Sequence, residues 1–181
     1  MSKALLRWGY SPLSFGVALI ASLMRIEAVA ADTSLIASPA DIGCTLAISA
    51  RLTRAQPAVL TLTVQNQSKQ TLRLLKRNTP LEGWLADSLI VERDSQPVPY
   101  SGAMVKRMPP TASEYLRLKP GASHRHRAAL QRGYDVSQPG SYRVRWRGDL
   151  MDVFLGNGAP NPDRLSPQTI TCAAVSFIRT P

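Results

Sequence analysis

The fold is decided by residues 139–147, which read Pro-Gly-Ser-Tyr-Arg-Val-Arg-Trp-Arg. Tyr142, Val144 and Trp146 fall on one face of an extended chain, because successive side chains of a strand point to opposite sides. This alternation indicates a strand with one buried and one solvated face. The Pro-Gly pair before it predicts a turn that leads into the strand. The solvated face carries what we define as the arginine row, Arg143, Arg145 and Arg147.

The same period of two recurs before and after this segment, in runs bounded by Gly, Pro, Asn and Ser. Such runs are the usual signal of strands joined by turns. Further strands are predicted at residues 44–52, 59–65, 71–77, 87–93, 97–100, 114–118, 123–130 and 168–178. Short strands with a turn about every 8–12 residues are typical of a sandwich. The sequence therefore predicts an all-β fold, an antiparallel immunoglobulin-like β-sandwich of about seven to nine strands.

Tyr142 and Trp146 are predicted to have structural roles inside this sandwich. A tyrosine just after a Pro-Gly turn, at the start of a strand, resembles the tyrosine corner of immunoglobulin-like domains. In that motif the hydroxyl group bonds to backbone a few residues upstream. The alternative is an ordinary core tyrosine without that bond. Trp146 shares the face of Tyr142 and is predicted to pack in the core.

The N-terminus has the features of a secretory signal peptide. Lys3 and Arg7 precede an apolar run over residues 13–24, and the small residues Ala-Val-Ala-Ala follow at 28–31. Such a run is too short for a membrane-spanning helix, which needs about 20 apolar residues. We predict a cleavable signal peptide at 1–30, a linker at 31–43 and one domain at 44–181. An uncleaved N-terminal anchor is the alternative. The protein is therefore expected to be exported, to the periplasm or the medium.

The composition excludes two classes of protein. The 181 residues are 44% hydrophobic and only 19% charged, which is unlike an intrinsically disordered chain. The net charge is +10, and residues 1–30 hold three basic residues and one acidic residue, so +8 remains after cleavage. Nucleic acid is not expected as a partner, because the chain leaves the cytoplasm and lacks stacking aromatic side chains beside its basic residues.

Cys44 and Cys172 are the two cysteines of the chain, and they lie near the two ends of the predicted domain. Exported proteins meet an oxidising environment, so we expect one disulfide between them. Closing a loop of this length stabilises a fold by roughly 4–5 kcal/mol in the chain-entropy account. A zinc site and a nucleophilic cysteine are the alternatives, and only His124 and His126 are available to support either.

Seven segments, taken in order, resemble one family. They are LLKRNTPLEG at 74–83, PVPYSGAMVKR at 97–107, PT at 110–111, YL at 115–116, LKPG at 118–121, YDVS at 134–137 and PGSYRV at 139–144. Together they are similar to the N-terminal, non-catalytic β-domain of bacterial deuterolysin-like zinc metalloendopeptidases, the aspzincin group. The resemblance covers about residues 44–147. It implies an accessory domain, and a secreted metallopeptidase is therefore the expected partner.

The catalytic signature of that family is missing from this sequence. The family's peptidases carry a His-Glu-x-x-His helix and a downstream Gly-Thr-x-Asp segment, and neither occurs here. His124 and His126 are separated by a single residue, so they do not form the i, i+4 pair that holds zinc from one helix face. The nucleophile elbow Gly-x-Ser-x-Gly is absent as well. We therefore expect no enzyme activity, no cofactor and no metal site.

Two surfaces are candidates for binding. The first is basic and consists of Arg125 and Arg127 on one predicted strand and the arginine row on the next. Such a face attracts acidic proteins or anionic envelope material, and its alternative is a solvated face that keeps an exported protein soluble. The second is the connection 149–167, with Phe154 and Asn157 as candidate contacts, because long loops often carry binding sites. Its alternative is a short strand at 153–155 that packs on the core.

These observations are compatible with three functions from different classes. The preferred function is that of an exported, non-catalytic binding module that inhibits, chaperones or targets a secreted metallopeptidase. The second is that of an envelope-binding protein that uses the basic face. The third is that of a cryptic hydrolase. No transmembrane segment is expected after the signal peptide is removed.

Overall fold

The structure is a computed structural model, and it describes residues 35–181. This part of the chain consists of strands, turns and short 3-10 helices. The strands are β1 (Leu35–Ile36), β2 (Ile42–Ala47), β3 (Arg51–Leu52), β4 (Val59–Asn66), β5 (Leu72–Leu75), β6 (Leu89–Arg93), β7 (Gln96–Pro97), β8 (Tyr115–Leu118), β9 (Ser123–Ala129), β10 (Gly140–Trp146), β11 (Asp149–Leu150), β12 (Val153–Leu155), β13 (Gln168–Thr169) and β14 (Val175–Arg179). The 3-10 helices are Pro39–Asp41, Pro80–Glu82, Ala112–Glu114 and Leu130–Arg132.

The strands pair into three larger sheets and one small one. The five-stranded sheet has the order β3-β14-β10-β6-β7, and the three-stranded sheet has the order β2-β4-β9. The four-stranded sheet has the order β1-β12-β5-β8, while β11 pairs with β13. Neighbouring strands are antiparallel except for β14 and β3, which are parallel. This arrangement is expected for a fold built from short strands and turns, because a two-residue turn joins only antiparallel neighbours.

A two-stranded ribbon links the three-stranded sheet to the four-stranded sheet. β4 pairs with β9, and the same two stretches of chain continue as β5 paired with β8. Asn66 lies at the bend, where its side-chain amide donates to the carbonyl groups of Gln70 at 2.7 Å and Leu118 at 2.9 Å. Its backbone N–H donates to the carbonyl of Ala122 at 2.9 Å. Because Asn66 is fully buried, these bonds satisfy groups that are costly to bury without partners.

One hydrophobic core receives side chains from all three larger sheets. Tyr142 of β10 stacks on Phe177 of β14, with ring centroids 4.7 Å apart and an interplanar angle of 5°. Leu62 of β4 and Leu74 of β5 bring the other two sheets into the same core. The hydroxyl of Tyr142 donates to the carbonyl of Gln138 at 2.8 Å, four residues upstream, as in a tyrosine corner. These features confirm the predicted all-β sandwich.

Two predicted strands are divided in the structure. The stretch 44–52 separates into β2 and β3, which belong to different sheets, and the stretch 168–178 separates into β13 and β14. Alternation along a sequence does not reveal where a chain leaves one sheet for another, because both sheets require the same period of two. Residues 153–155 form β12, and all three side chains are buried. The structure therefore adopts the alternative named for this connection, a short strand at 153–155 that packs on the core.

The N-terminal part of the described chain is folded. β1 pairs with β12, and Ala37 and Ile42 are buried in the core, so residues 35–43 are part of the sandwich rather than a linker. The apolar character of these positions explains the difference, since each gains by leaving water. The predicted signal peptide at 1–30 lies outside the described residues. Within residues 35–181, no helix is both long enough and apolar enough to cross a membrane.

Candidate functional site

The two cysteines form the predicted disulfide. The Cα atoms of Cys44 and Cys172 are 5.4 Å apart, and the residues are separated by 128 positions in the chain. Cys44 lies in β2 at the edge of the three-stranded sheet, and Cys172 lies in the segment that leads into β14. The bond therefore joins the first long strand to the entry of the last strand.

The arginine row lies on the outer face of the five-stranded sheet. All three side chains are exposed, while Tyr142 and Trp146 of the same strand are buried. Arg147 forms an ion pair with Asp87 at 2.8 Å. Across the ladder, Arg143 lies opposite Glu92 of β6. Acidic neighbours therefore offset part of the positive charge of the row.

Arg125 and Arg127 lie on a different sheet from the arginine row. They are exposed on β9, where the ladder places them opposite Thr63 and Thr61 of β4. The five arginines therefore form two separate basic patches on two sheets. Neither Arg125 nor Arg127 takes part in an ion pair among residues 35–181.

His124 and His126 belong to β9 and lie on the face of the strand opposite to these arginines. They pair with Val64 and Leu62 of β4, whose side chains belong to the core. Burial lowers the pKa of His126, and the neighbouring His124 lowers it further. Within the described chain, no group of three or more His, Cys, Asp or Glu side chains is placed to hold a metal ion.

The connection 149–167 contains β11 and β12, and β12 is a strand of the four-stranded sheet. Phe154 is only 7% exposed and packs edge-to-face on Tyr115, with ring centroids 5.8 Å apart. Together with Leu75 these residues form a second core. The side chain of Phe154 thus serves packing, although its edge reaches the wall of a neighbouring cavity.

That cavity has a volume of about 320 Å³ and lies beside the second core. Ile36, Phe154 and Arg164 contribute to its wall. Asp152 lines it too, and this carboxylate is almost completely buried. Asp152 accepts hydrogen bonds from the hydroxyl of Tyr115 at 2.6 Å and from the N–H of Ser166 at 2.7 Å. Burial and the bond to Asp152 both raise the pKa of Tyr115, so its hydroxyl remains a donor.

Asn157 joins two arginines that the sequence analysis did not single out. Arg73 of β5 donates to the backbone carbonyl of Asn157 at 3.1 Å, and Arg117 of β8 donates to its side-chain oxygen at 2.8 Å. We call Arg73 and Arg117 the arginine pair, because the ladder places them directly opposite each other. Each stands between two leucines, in the triplets Leu-Arg-Leu at 72–74 and 116–118. A single charge inside an apolar strand was the signal available in the sequence.

A second missed surface is the methionine loop, defined as residues 101–110. Met104 is 80% exposed, Met108 is 79% exposed and Val105 is 42% exposed. Singly exposed apolar residues are common on protein surfaces, but three within one short loop form a patch.

Polar contacts hold both ends of the methionine loop. The buried side chain of Arg77 donates to the carbonyl of Met108 at 2.6 Å and forms an ion pair with Glu114 at 2.7 Å. That ion pair and the N–H of Thr111 lower the pKa of Glu114 to about 2. Arg107 pairs with Glu82 at 2.6 Å. At the other end of the loop, the N–H of Ser101 donates to the carbonyl of Gly133 at 2.9 Å. The loop is therefore anchored on both sides of Met104 and Val105.

Comparisons with known proteins relate the chain to one family. A model of the immunoglobulin-like domain matches residues 45–160. The chain is also 36% identical over 116 residues to a protein described as an extracellular protease of Aeromonas hydrophila. That match covers 62% of this chain and 32% of the protease, so the chain spans about a third of that relative's length.

A solved structure of a mutant β-glucosidase from Listeria innocua, in complex with laminaribiose, also matches. It covers 73% of this chain and 16% of the other chain, with 12% sequence identity and a TM-score of 0.27, which is too low to support an argument. The match to the family model is more informative, because it extends from β2 to the loop after β12. On that match, the chain belongs to the immunoglobulin-like domain family.

Proposed function

We propose that this protein is an exported, non-catalytic module that binds a secreted peptidase. The observation that carries the proposal is the 36% identity to an extracellular protease, which is limited to 32% of that protease. Similarity limited to a third of a larger protein is expected when two proteins share one domain. The resemblance to the accessory domain of aspzincin peptidases specifies the partner further, as a zinc metallopeptidase that acts in the periplasm or the medium.

The methionine loop is the surface that best fits this role. Methionine side chains adapt to the shape of a partner and are frequent at binding surfaces. A loop that is already held by Arg77 and Arg107 loses little conformational freedom on binding, which favours affinity. Residues 97–107, which include most of the loop, are also one of the segments that resemble the accessory domain of aspzincin peptidases.

The first experiment measures direct binding to a purified relative of the expected partner. The processed protein is immobilised, and the extracellular protease of Aeromonas hydrophila is passed over it in a biosensor assay. We expect saturable binding. The double variant Met104→Glu and Met108→Glu should weaken it by at least about tenfold, because a carboxylate in an apolar contact must lose its hydration.

A matched control separates a specific loss from a general change in charge. Ile36 is 67% exposed on β1 and Ile178 is 45% exposed on β14, both far along the chain from the methionine loop. The double variant Ile36→Glu and Ile178→Glu introduces the same two charges in place of apolar side chains. This variant should bind as tightly as the unmodified protein. Binding that is absent in the unmodified protein would refute the peptidase partner, and equal losses in both variants would refute the role of the loop.

The same proteins distinguish the three roles of the module. An inhibitor lowers the rate of peptide hydrolysis by the bound protease, and the loss should follow the binding curve. A chaperone raises the yield of active protease after refolding without lowering its activity. A targeting module changes neither quantity, and it should instead bring the protease to a surface or polymer that the protein binds by itself.

A second candidate function is envelope binding through the basic patches. The observation that favours it is that Arg125, Arg127 and Arg145 form no ion pair among residues 35–181. Co-sedimentation with vesicles of phosphatidylglycerol tests it. Binding should fall steeply when the salt concentration is raised, since exposed charges are screened within about 10 Å at 0.1 M salt. Binding that salt does not change would count against this function.

A further inference from the structure

The arginine pair holds two positive charges side by side without a counter-charge. Arg73 and Arg117 occupy directly opposite positions of the antiparallel ladder between β5 and β8. Like charges at such positions repel each other. The three ion pairs found among residues 35–181 involve other arginines, so no carboxylate of the described chain neutralises this pair.

The acidic side chains that immediately precede β12 and β8 are engaged elsewhere. Asp152 accepts from the hydroxyl of Tyr115 and the N–H of Ser166. Glu114, just before β8, is bound by Arg77. The acceptors that the arginine pair does contact, both on Asn157, are neutral oxygens.

One donor of the pair is buried without a partner. The Nε atom of Arg73 is inaccessible to solvent and makes no hydrogen bond. A buried N–H group without an acceptor is unfavourable and is uncommon in folded proteins. This buried Nε cannot itself reach a ligand from solvent, but the terminal nitrogen atoms of both guanidinium groups can, since their bonds to Asn157 lie at the surface. An acceptor with several oxygen atoms, bound at these terminal nitrogens, would cancel the repulsion.

We propose that Arg73, Arg117 and Asn157 form a binding site for a phosphate group. Guanidinium groups present paired N–H donors that match the oxygen atoms of phosphate, and a phosphate monoester carries about −1.5 to −2 charges near neutral pH, which balances two arginines. The side-chain NH2 group of Asn157 supplies a further donor, because its oxygen already accepts from Arg117. This inference is independent of the proposed peptidase partner and of the basic patches.

Thermal unfolding in the presence of inorganic phosphate tests the site. A ligand that binds only the folded state raises the unfolding temperature, and the increase grows with its concentration. We expect about 10 mM phosphate to raise it relative to sodium chloride of equal ionic strength. Arg73→Met and Arg117→Met should each weaken phosphate binding by at least about tenfold, measured by titration calorimetry.

The Arg73→Met variant also provides its own folding control. Because the substitution removes the repulsion and the unpartnered donor, its unfolding temperature without phosphate should equal or exceed that of the unmodified protein. The double variant Arg143→Ala and Arg145→Ala removes two positive charges, one more than Arg73→Met, and it should bind phosphate as tightly as the unmodified protein. A loss of binding in this variant would show a general charge effect and overturn the site.

Two further arms identify the ligand. Acetate should not compete with phosphate. Equal affinity for acetate would mean that the site binds carboxylates in general, and it would overturn the proposal. Vesicles of phosphatidic acid distinguish a lipid headgroup from a free phosphate: binding to vesicles that Arg73→Met abolishes assigns the phosphate to lipid, and binding of inorganic phosphate alone assigns it to a soluble ester or ion. An unfolding temperature that phosphate leaves unchanged would refute the site.

Discussion

The arginine row and the arginine pair place the same chemical group on two sheets, in different surroundings. On the five-stranded sheet, Arg147 contacts the carboxylate of Asp87 at 2.8 Å. On the four-stranded sheet, Arg73 and Arg117 face each other, and both donate to Asn157 instead of to an acid. A carboxylate therefore offsets part of the positive charge of the arginine row, whereas no carboxylate among residues 35–181 pairs with the arginine pair.

The difference shows that cross-strand neighbours decide whether a charge is available to a ligand. The two regions also differ in where their aromatic rings pack. Tyr142 and Phe177 of the five-stranded sheet stack in the main core, whereas Phe154 of the four-stranded sheet packs in the small second core, opposite Arg73 on the outer face.

The two cores should differ in the cost of losing an aromatic ring. Phe177→Ala is expected to lower the free energy of unfolding by about 3–5 kcal/mol, because it removes a fully buried ring that stacks on Tyr142. Phe154→Ala should cost less, about 2–3 kcal/mol, since fewer buried side chains surround the ring. Urea unfolding measures both values. An equal or larger loss for Phe154→Ala would contradict the ranking of the cores.

Breaking the buried ion pair should have the next largest effect. Arg77→Met removes the guanidinium that donates to the carboxylate of Glu114 and to the carbonyl of Met108, while Glu114 keeps its bonds from Thr111. We expect a loss of about 2–3 kcal/mol in the free energy of unfolding, reduced from the value for fully buried pairs because Glu114 is partly exposed. The variant should also bind the peptidase partner more weakly, since the methionine loop loses an anchor. A change below about 1 kcal/mol would show that the pair is dispensable.

The same ion pair predicts how stability depends on acidity. The folded protein holds the pKa of Glu114 at about 2, below the 4.5 of an ordinary glutamate, mainly through its hydrogen bonds with Arg77. A depressed carboxyl pKa stabilises the fold above the unfolded pKa, and this contribution is lost as the pH falls from 4.5 through about 2. Across this pH range, the free energy of unfolding should decrease less for Glu114→Gln than for the unmodified protein. A parallel decrease in both proteins would assign the effect to other groups.

The smallest effect is expected at the exposed ion pair of the arginine row. Arg147 and Asp87 are each more than a third exposed, so solvent screens their attraction. Arg147→Met should therefore change the free energy of unfolding by less than about 1 kcal/mol. It should also leave the affinity for inorganic phosphate unchanged, in contrast to Arg73→Met. A larger loss of stability would mean that this pair supports the strand ends more than its exposure indicates.

The sequence was sufficient to predict the architecture because alternation is a local property. Residues 141–147 reveal their buried and exposed faces without knowledge of any neighbour, and the structure keeps that assignment. The division of 44–52 between two sheets was not predictable in this way, because it depends on which strand lies beside each half. Of the linker predicted at 31–43, the described residues 35–43 belong to the sandwich, and a two-residue strand such as β1 is too short to show a period in the sequence.

The candidate site was less predictable than the fold. Phe154 and Asn157 were singled out by their position in a long connection, but the structure places one in the second core and the other between two arginines. The meeting of Arg73 with Arg117 joins positions 44 residues apart, and only the pairing of β5 with β8 brings them together. The exposure of the methionine loop likewise depends on the anchoring side chain of Arg77, which is distant in sequence.

The disulfide between Cys44 and Cys172 has a consequence for a protein that works near proteases. The methionine loop is exposed, and it lies between the two cysteines in the chain. A single cut there yields two fragments that remain covalently joined, and β4 and β9, one from each fragment, still pair. A nicked molecule would therefore migrate as one species until its disulfide is reduced.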